Sequence, residues 1–177
     1  WHDWMEWRLR VLCDDSYAIK EGNVTQRFID WTGCAHSGKT HDIALYAIPW
    51  WLADPLNSIV VLTSTTAAMI SARIWPVLAK YHDQLEERLG FAGHRIDSKG
   101  LLVWDKGNKK NSVMVKAVGG GETAKAASDI QGLHAPRILL VLDEATETRD
   151  AIMVASENLQ KNCQDFTCVK IGNAKSR

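Results

Sequence analysis

At 177 residues and 46% hydrophobic content, the chain is long enough to bury the core of one globular domain. Its 21 basic and 21 acidic side chains cancel, so bulk charge lends no support to a nucleic-acid partner and leaves that role to a local basic patch. No apolar run approaches the roughly 18 residues a bilayer span needs, and no signal-peptide pattern is visible; the first residue is Trp1 rather than Met, the start expected of a fragment or a processed chain.

Trp1, Trp4 and Trp7 fall three apart, as one face of a helix requires. They open a predicted helix from Trp4 to about Lys20, followed by a loop at Glu21-Gly22-Asn23. Residues 1–24 are therefore expected to form a helical segment packed on the core, and residues 25–177 the main domain. Most of the eight tryptophans read as core or as a contact face. Cys13, Cys34, Cys163 and Cys168 match neither a zinc pattern nor a disulfide framework, which fits a reducing, cytosolic setting.

Gln26 to Trp31 reads as a short strand. It runs into Gly33-Cys34-Ala35-His36-Ser37-Gly38-Lys39-Thr40, a complete G-x-x-x-x-G-K-[ST] loop. Ile43, Ala44, Ala47, Ile48 and Trp51 then recur at helical spacing. Strand, glycine loop and helix start together make a triphosphate cradle. Glycines let successive backbone N–H groups point at one anion, and the helix N-terminus adds its positive end. Lys39 is expected to reach the β- and γ-phosphates, and the Thr40 hydroxyl to sit on Mg²⁺. Cys34 and His36 read as loop filler, with Cys34 also a thiol that the helix end would acidify.

Ser58 to Thr63 is a second buried strand. Ser64-Thr65-Thr66 ends it and offers an N-cap to a long helix carrying Met69, Ile70, Ile74, Val77, Leu78, Leu85 and Leu89 inward. Pro76 should kink or split that helix, and Gly90 should end it. Leu101 to Trp104 and Val113 to Val118 flank Lys106-Gly107-Asn108-Lys109-Lys110, which predicts a hairpin. From Gly119-Gly120-Gly121 to His134 the pattern predicts a mobile loop holding one short helix.

Ile138 to Leu142 is an apolar run that ends in Asp143-Glu144. Such a run is a buried parallel strand emerging at its carboxyl edge, where ligands of open α/β sheets bind. Asp143 is then placed to hold Mg²⁺ and Glu144 to orient and deprotonate a water. A helix from about Arg149 to Lys161 and a last strand, Phe166 to Ile171, complete the alternation of an α/β fold with right-handed crossovers. A strand and a hairpin lie in the chain between glycine loop and acids, which separates this order from simple nucleotide kinases and points to motor ATPases.

On these motifs the chain resembles the ATPase domain of the large terminase subunit of tailed bacteriophages, the motor that pumps DNA into a procapsid. Trp31 to Thr40 resembles that family's phosphate loop, and Leu62-Thr63-Ser64-Thr65 the end of its second strand. Ile130-Gln131-Gly132-Leu133-His134 to Ala145 is similar to its acidic-strand motif, and Ile171-Gly172-Asn173 to its coupling motif. The resemblance runs from about Thr25 onward. It implies a P-loop NTPase of RecA/ASCE type with a mainly parallel central sheet flanked by helices. It also implies ATP and Mg²⁺ as substrate and cofactor, catalytic roles for Lys39, Glu144 and Asn173, and double-stranded DNA, the portal protein and the small terminase subunit as partners. A homo-oligomeric ring in the host cytoplasm, docked transiently at the portal, is the implied working form.

Two departures stand out. Many members carry an arginine inside the phosphate loop, whereas residues 34 to 37 here are Cys, Ala, His and Ser. A charge-stabilising arginine must then come from elsewhere, with Arg73, Arg95, Arg137 and Arg149 as candidates in this subunit or a neighbour's. The family's C-terminal nuclease domain has no counterpart after Asn173, so this chain is expected to hydrolyse ATP without cutting DNA. Lys106, Lys109, Lys110 and Lys125 are the candidate DNA contacts, against the plainer reading of a solvated turn. Tyr17 is a candidate to stack on adenine. A helicase-like or remodelling motor would use the same residues for the same chemistry, and a nucleotide-gated scaffold with little turnover is the non-enzymatic alternative.

Overall fold

The computed structural model describes residues 6–7, 10–11, 19–21, 24–33, 37–119, 123–145, 150–161 and 163–173. Tyr17, Cys34, Ala35, His36 and Arg149 lie outside them, as does most of the expected N-terminal helix. Among the described residues eight strands form one sheet in the order β1-β2-β8-β7-β3-β6-β5-β4. The strands are β1 (Ile19–Glu21), β2 (Val24–Gly33), β3 (Ser58–Ser64), β4 (His94–Ile96), β5 (Leu101–Asp105), β6 (Asn108–Ala117), β7 (Arg137–Leu142) and β8 (Asp165–Asn173). The five middle strands, β2, β8, β7, β3 and β6, pair in parallel. β1 at one edge, and β5 and β4 at the other, run antiparallel to their neighbours.

Helices cover both faces, and this explains why the central strands read as continuous apolar runs rather than alternating ones. Along β3, Val60 and Leu62 face a core built with Ile43, Ala47, Trp51 and Leu78. Ile59 and Val61 face the opposite core, with Ile130, Ile152 and Phe166. The first core is supplied by α1 (Lys39–Leu52) and α3 (Trp75–Leu89), the second by α4 (Thr123–Gln131) and α5 (Asp150–Lys161). Trp31, Trp50 and Trp51 are buried, Trp75 and Trp104 half-buried, and Trp7 exposed.

The long helix forms as the sequence predicts at both ends. The Thr66 hydroxyl accepts from the Met69 amide at 3.1 Å, and Gly90 closes the other end in a left-handed conformation at φ 77°. Pro76 does not stop it. α2 (Ala67–Met69) leads through a π-helical turn, Ile70–Ile74, into α3, which carries Pro76 in its first turn. The wider turn lies just ahead of the residue that lacks an N–H and absorbs the mismatch. The hairpin is β5–β6, with Asp105 paired to Asn108 and the turn at Lys106-Gly107.

Two local features differ from the expected order. Ile19 to Glu21 is a strand rather than the end of a helix and the start of a loop, because the exposed edge of β2 offers it an antiparallel partner; residues 6–7 and 10–11 are helical. The strand at β4 was not legible, since three residues with no apolar alternation gain strand geometry only from pairing with β5.

Candidate phosphate-binding site at the carboxyl rim

β2 delivers Gly33 to the rim, and α1 begins six residues later at Lys39. The turn into the helix needs a left-handed residue, which Gly38 supplies at φ 79°; the Asp42 amide then bonds back to its carbonyl at 3.0 Å. Lys39 is buried there. Its Nζ donates to the Gly33 carbonyl (3.3 Å), the Ser37 hydroxyl (3.1 Å) and Asn173 Oδ1 (3.2 Å). The last bond follows from topology: Gly33 and Asn173 are register partners at the ends of β2 and β8. A lysine and an amide separated by most of the chain thus share one point on the rim.

The acids arrive on β7, one strand beyond β8. The Asp143 amide donates to the Thr63 carbonyl (3.2 Å), which fixes it against the end of β3. Thr40, Thr63 and Asp143 border one narrow apolar gap together with Ile43, Ile74 and Ile171, so the three lie at one point of the rim. Burial and the neighbouring Glu144 push the Asp143 carboxyl above the usual carboxylate range, against a weaker downward pull from the Glu144 backbone, Arg73 and Lys39. A nearby cation would relieve that penalty and favour the ionised form of Asp143.

Glu144 stands in a left-handed conformation at φ 55°, the described non-glycine residue that does so. Strain of this kind costs of order 1–3 kcal/mol and concentrates at functional sites. Its carboxylate is held from two sides. Thr65 Oγ1 donates to Oε2 (3.1 Å), and Arg73 Nη1 lies 3.6 Å from Oε1. Thr65 follows the last residue of β3, and Arg73 lies on the π-helical turn. No motif in the sequence marks Thr65 as a partner of Glu144. Its one signal is a hydroxyl placed a step beyond a strand buried along its whole length.

The other predicted groups disperse. Arg95 sits on the far edge strand, where it bonds Asp83, Asp97 (Nε–Oδ1 3.1 Å) and the Ala79 carbonyl (3.1 Å). Arg137 begins β7, at the rim opposite the acids; it stacks on Trp50 at 4.3 Å and bonds Ser58 Oγ at 3.0 Å. Neither reaches the site of its own chain, which leaves Arg73 as the described candidate beside the acids. Lys106, Lys109 and Lys110 are exposed around the hairpin turn at the opposite rim, and Lys125 is exposed in the first turn of α4. Burial pushes the Cys163 and Cys168 thiols up to about 12, so both are inert.

No family model matches this chain, and no curated protein sequence does. Solved structures do match. The large terminase from the thermophilic bacteriophage D6E superposes with a TM-score of 0.57 over 81% of this chain and 33% of its own, at 12% identity. The same terminase in complex with ADP gives 0.52 over 81% and 33%, also at 12% identity. The large terminase of bacteriophage HK97 gives 0.52 over 82% and 29%, at 18% identity. The chain spans about a third of the length of these neighbours. At such identities the likeness establishes the fold alone, an α/β architecture with a mostly parallel sheet between helices. No helix among the described residues is long and apolar enough to cross a membrane.

Proposed function

We propose that this chain is an ATPase of the large-terminase kind, which hydrolyses ATP with Mg²⁺ and uses the energy to translocate viral double-stranded DNA into a procapsid. The observation that carries the reading is the meeting of Lys39, Asn173, Asp143 and Glu144 at the ends of three adjacent strands. The existence of a similar fold solved in complex with ADP supports a nucleotide as ligand.

On this reading Lys39 exchanges the Gly33 carbonyl and Ser37 hydroxyl for phosphate oxygens, and Asn173, already beside its Nζ, registers whether a γ-phosphate is present. Thr40 and Asp143 would hold the metal. The donor set fits in kind, because a hydroxyl and a carboxylate are hard oxygen donors and Thr40 and Asp143 border the same point of the rim. When bound, Mg²⁺ supplies charge neutralisation on the phosphates. Glu144, steadied through Oε2 by the Thr65 hydroxyl, positions and deprotonates the attacking water through Oε1 once Arg73 has turned away from that oxygen. Arg73, partly solvated, is the group of this chain best placed to meet charge building on the transferred phosphoryl. DNA, portal and small subunit as partners, a working ring and docking at the portal belong to the same proposal.

Nucleotide binding to the chain and to Lys39→Ala, followed by ATP turnover with and without DNA and portal, tests it. The expected result is binding that Lys39→Ala abolishes and turnover that DNA or portal stimulates. Failure of the unsubstituted chain to bind ATP or ADP would overturn the reading.

A further inference from the structure

A second cluster lies far from the phosphate site, where the last turns of α3 meet β4. His82, Asp83 and Glu86 each offer one ligand atom, and these atoms lie within 4.8 Å of one another. His82 and Glu86 are four apart and share a helix face. They line a cleft of about 240 Å³ together with Gly93, Arg95 and Asp97.

The telling residue is His82. It is 2% exposed, yet neither ring nitrogen makes a hydrogen bond to the protein. Its Nδ1 comes only to 3.8 Å from Asp83 Oδ1. A buried imidazole left without partners is unfavourable, and the cleft it borders is polar. The rest of the cluster is ordered. Arg95 bonds Asp83 through Oδ1, and is itself anchored by the Ala79 carbonyl (3.1 Å) and Asp97 (3.1 Å). Asp83 retains a second oxygen. The cleft wall beside it is held in place by Gly93, at φ 89°, where a Cβ would lie 2.9 Å from Trp51 and from the Val103 carbonyl.

We propose that His82, Asp83 and Glu86 form a binding site for a first-row divalent transition-metal ion, with zinc the best fit. The imidazole nitrogen is a borderline donor that favours zinc over magnesium, zinc accepts carboxylate oxygens beside it, and the open side of the cleft leaves coordination positions for water. A guanidinium that orients a ligating carboxylate is the kind of outer support such sites use. The ion satisfies one nitrogen of the His82 ring and fixes the Asp83 carboxylate through which Arg95 ties β4 to α3. Its role is structural, since the far edge of the sheet lies four strands from β7.

Calorimetric Zn²⁺ titration of the chain in a large excess of Mg²⁺, which keeps the phosphate site out of the measurement, is the test. One Zn²⁺ per chain is expected, and Co²⁺ in its place should develop the absorption of an ordered low-coordinate site. Exposed Glu86→Gln, which leaves the core intact, should weaken binding about tenfold or more, and His82→Gln should abolish it if that variant folds. Absence of zinc binding, or affinity unchanged in both Glu86→Gln and Asp83→Asn, overturns the proposal.

Discussion

Glu144 and Asp143 are neighbours with opposite demands. The Asp143 carboxyl is held above the usual carboxylate range chiefly by burial and then by Glu144, so ionising it in the folded chain is unfavourable. The consequence for stability has a definite sign. Where a folded carboxyl titrates above its unfolded value, the penalty is present in full at neutral pH and is relieved as pH falls through the folded pKa. Asp143→Asn should therefore raise Tm at neutral pH, by an increment that shrinks toward zero in acid, while ATP turnover falls. Melting curves across pH check this; an increment that grows in acid would contradict the assigned burial. Glu144→Gln keeps the shape of the side chain and removes the base. It should leave nucleotide affinity within about threefold and cut kcat by roughly 10²–10⁴. Single-turnover measurements separate that loss from slow product release, and normal turnover would remove Glu144 from its role.

At the scale of elements, Glu144 depends on an anchor that β6 provides. The Val118 amide donates to the Ser64 carbonyl and the Gly119 amide to the Thr65 carbonyl, both at 2.9 Å, so the segment after β6 fastens the residue that holds Glu144. Gly119 has no room for a side chain, since a Cβ there would lie 2.2 Å from the Thr65 carbonyl oxygen. Backbone on backbone cannot yield as a side chain tip would. Gly119→Ala is expected to destabilise the chain by about 1–3 kcal/mol and to lower kcat with little change in nucleotide affinity, because Thr65 moves while Lys39 does not. Denaturant melts and nucleotide titration on one preparation read both effects; an unaltered kcat would uncouple Thr65 from catalysis. This coupling was hidden in the sequence, where Gly119-Gly120-Gly121 reads only as a loop. The glycine loop, the acidic strand end and most helix bounds were legible because their signals are local: a fixed spacing, an apolar run, a cap at Thr66, a glycine at 90. Non-local pairing was not. Nothing in the run from Phe166 to Ile171 says that it inserts between β2 and β7, and that insertion sets Asn173 beside Lys39. The short edge strand β4 and the Thr65–Glu144 bond are likewise products of assembly.

At the scale of the molecule the sheet has two rims with different chemistry. Gly33, Leu142 and Asn173 end their strands at one rim, and Thr65 follows β3 there; at the other, β6 begins and the hairpin turn presents Lys106, Lys109 and Lys110 to solvent. β6 spans ten residues, so the hairpin lysines stand about 30 Å from the phosphate rim. Lys125 lies near the phosphate rim instead, because Thr123 at the start of α4 bonds the Val118 carbonyl at 2.9 Å. With a net charge of zero, the DNA affinity of the proposed function would have to be concentrated in one such patch, and the two locations predict different behaviour. DNA bound at the hairpin is separable from catalysis. Lys109→Ala with Lys110→Ala should then leave basal ATP turnover intact, reduce its stimulation by DNA, and lower the salt slope of binding by about two, one for each lysine removed from a phosphate. DNA bound at Lys125 sits a few residues from Gly119 and thus from the strand end that fastens Thr65, so Lys125→Ala should change stimulation and the response of Glu144 together. Salt-dependent DNA binding and stimulated turnover, measured on both variants, decide between them. Stimulation unchanged at low salt in the hairpin variant, with its disappearance in Lys125→Ala, would put the DNA at the carboxyl rim, where the strand ends assigned to nucleotide in the proposed function could move it directly.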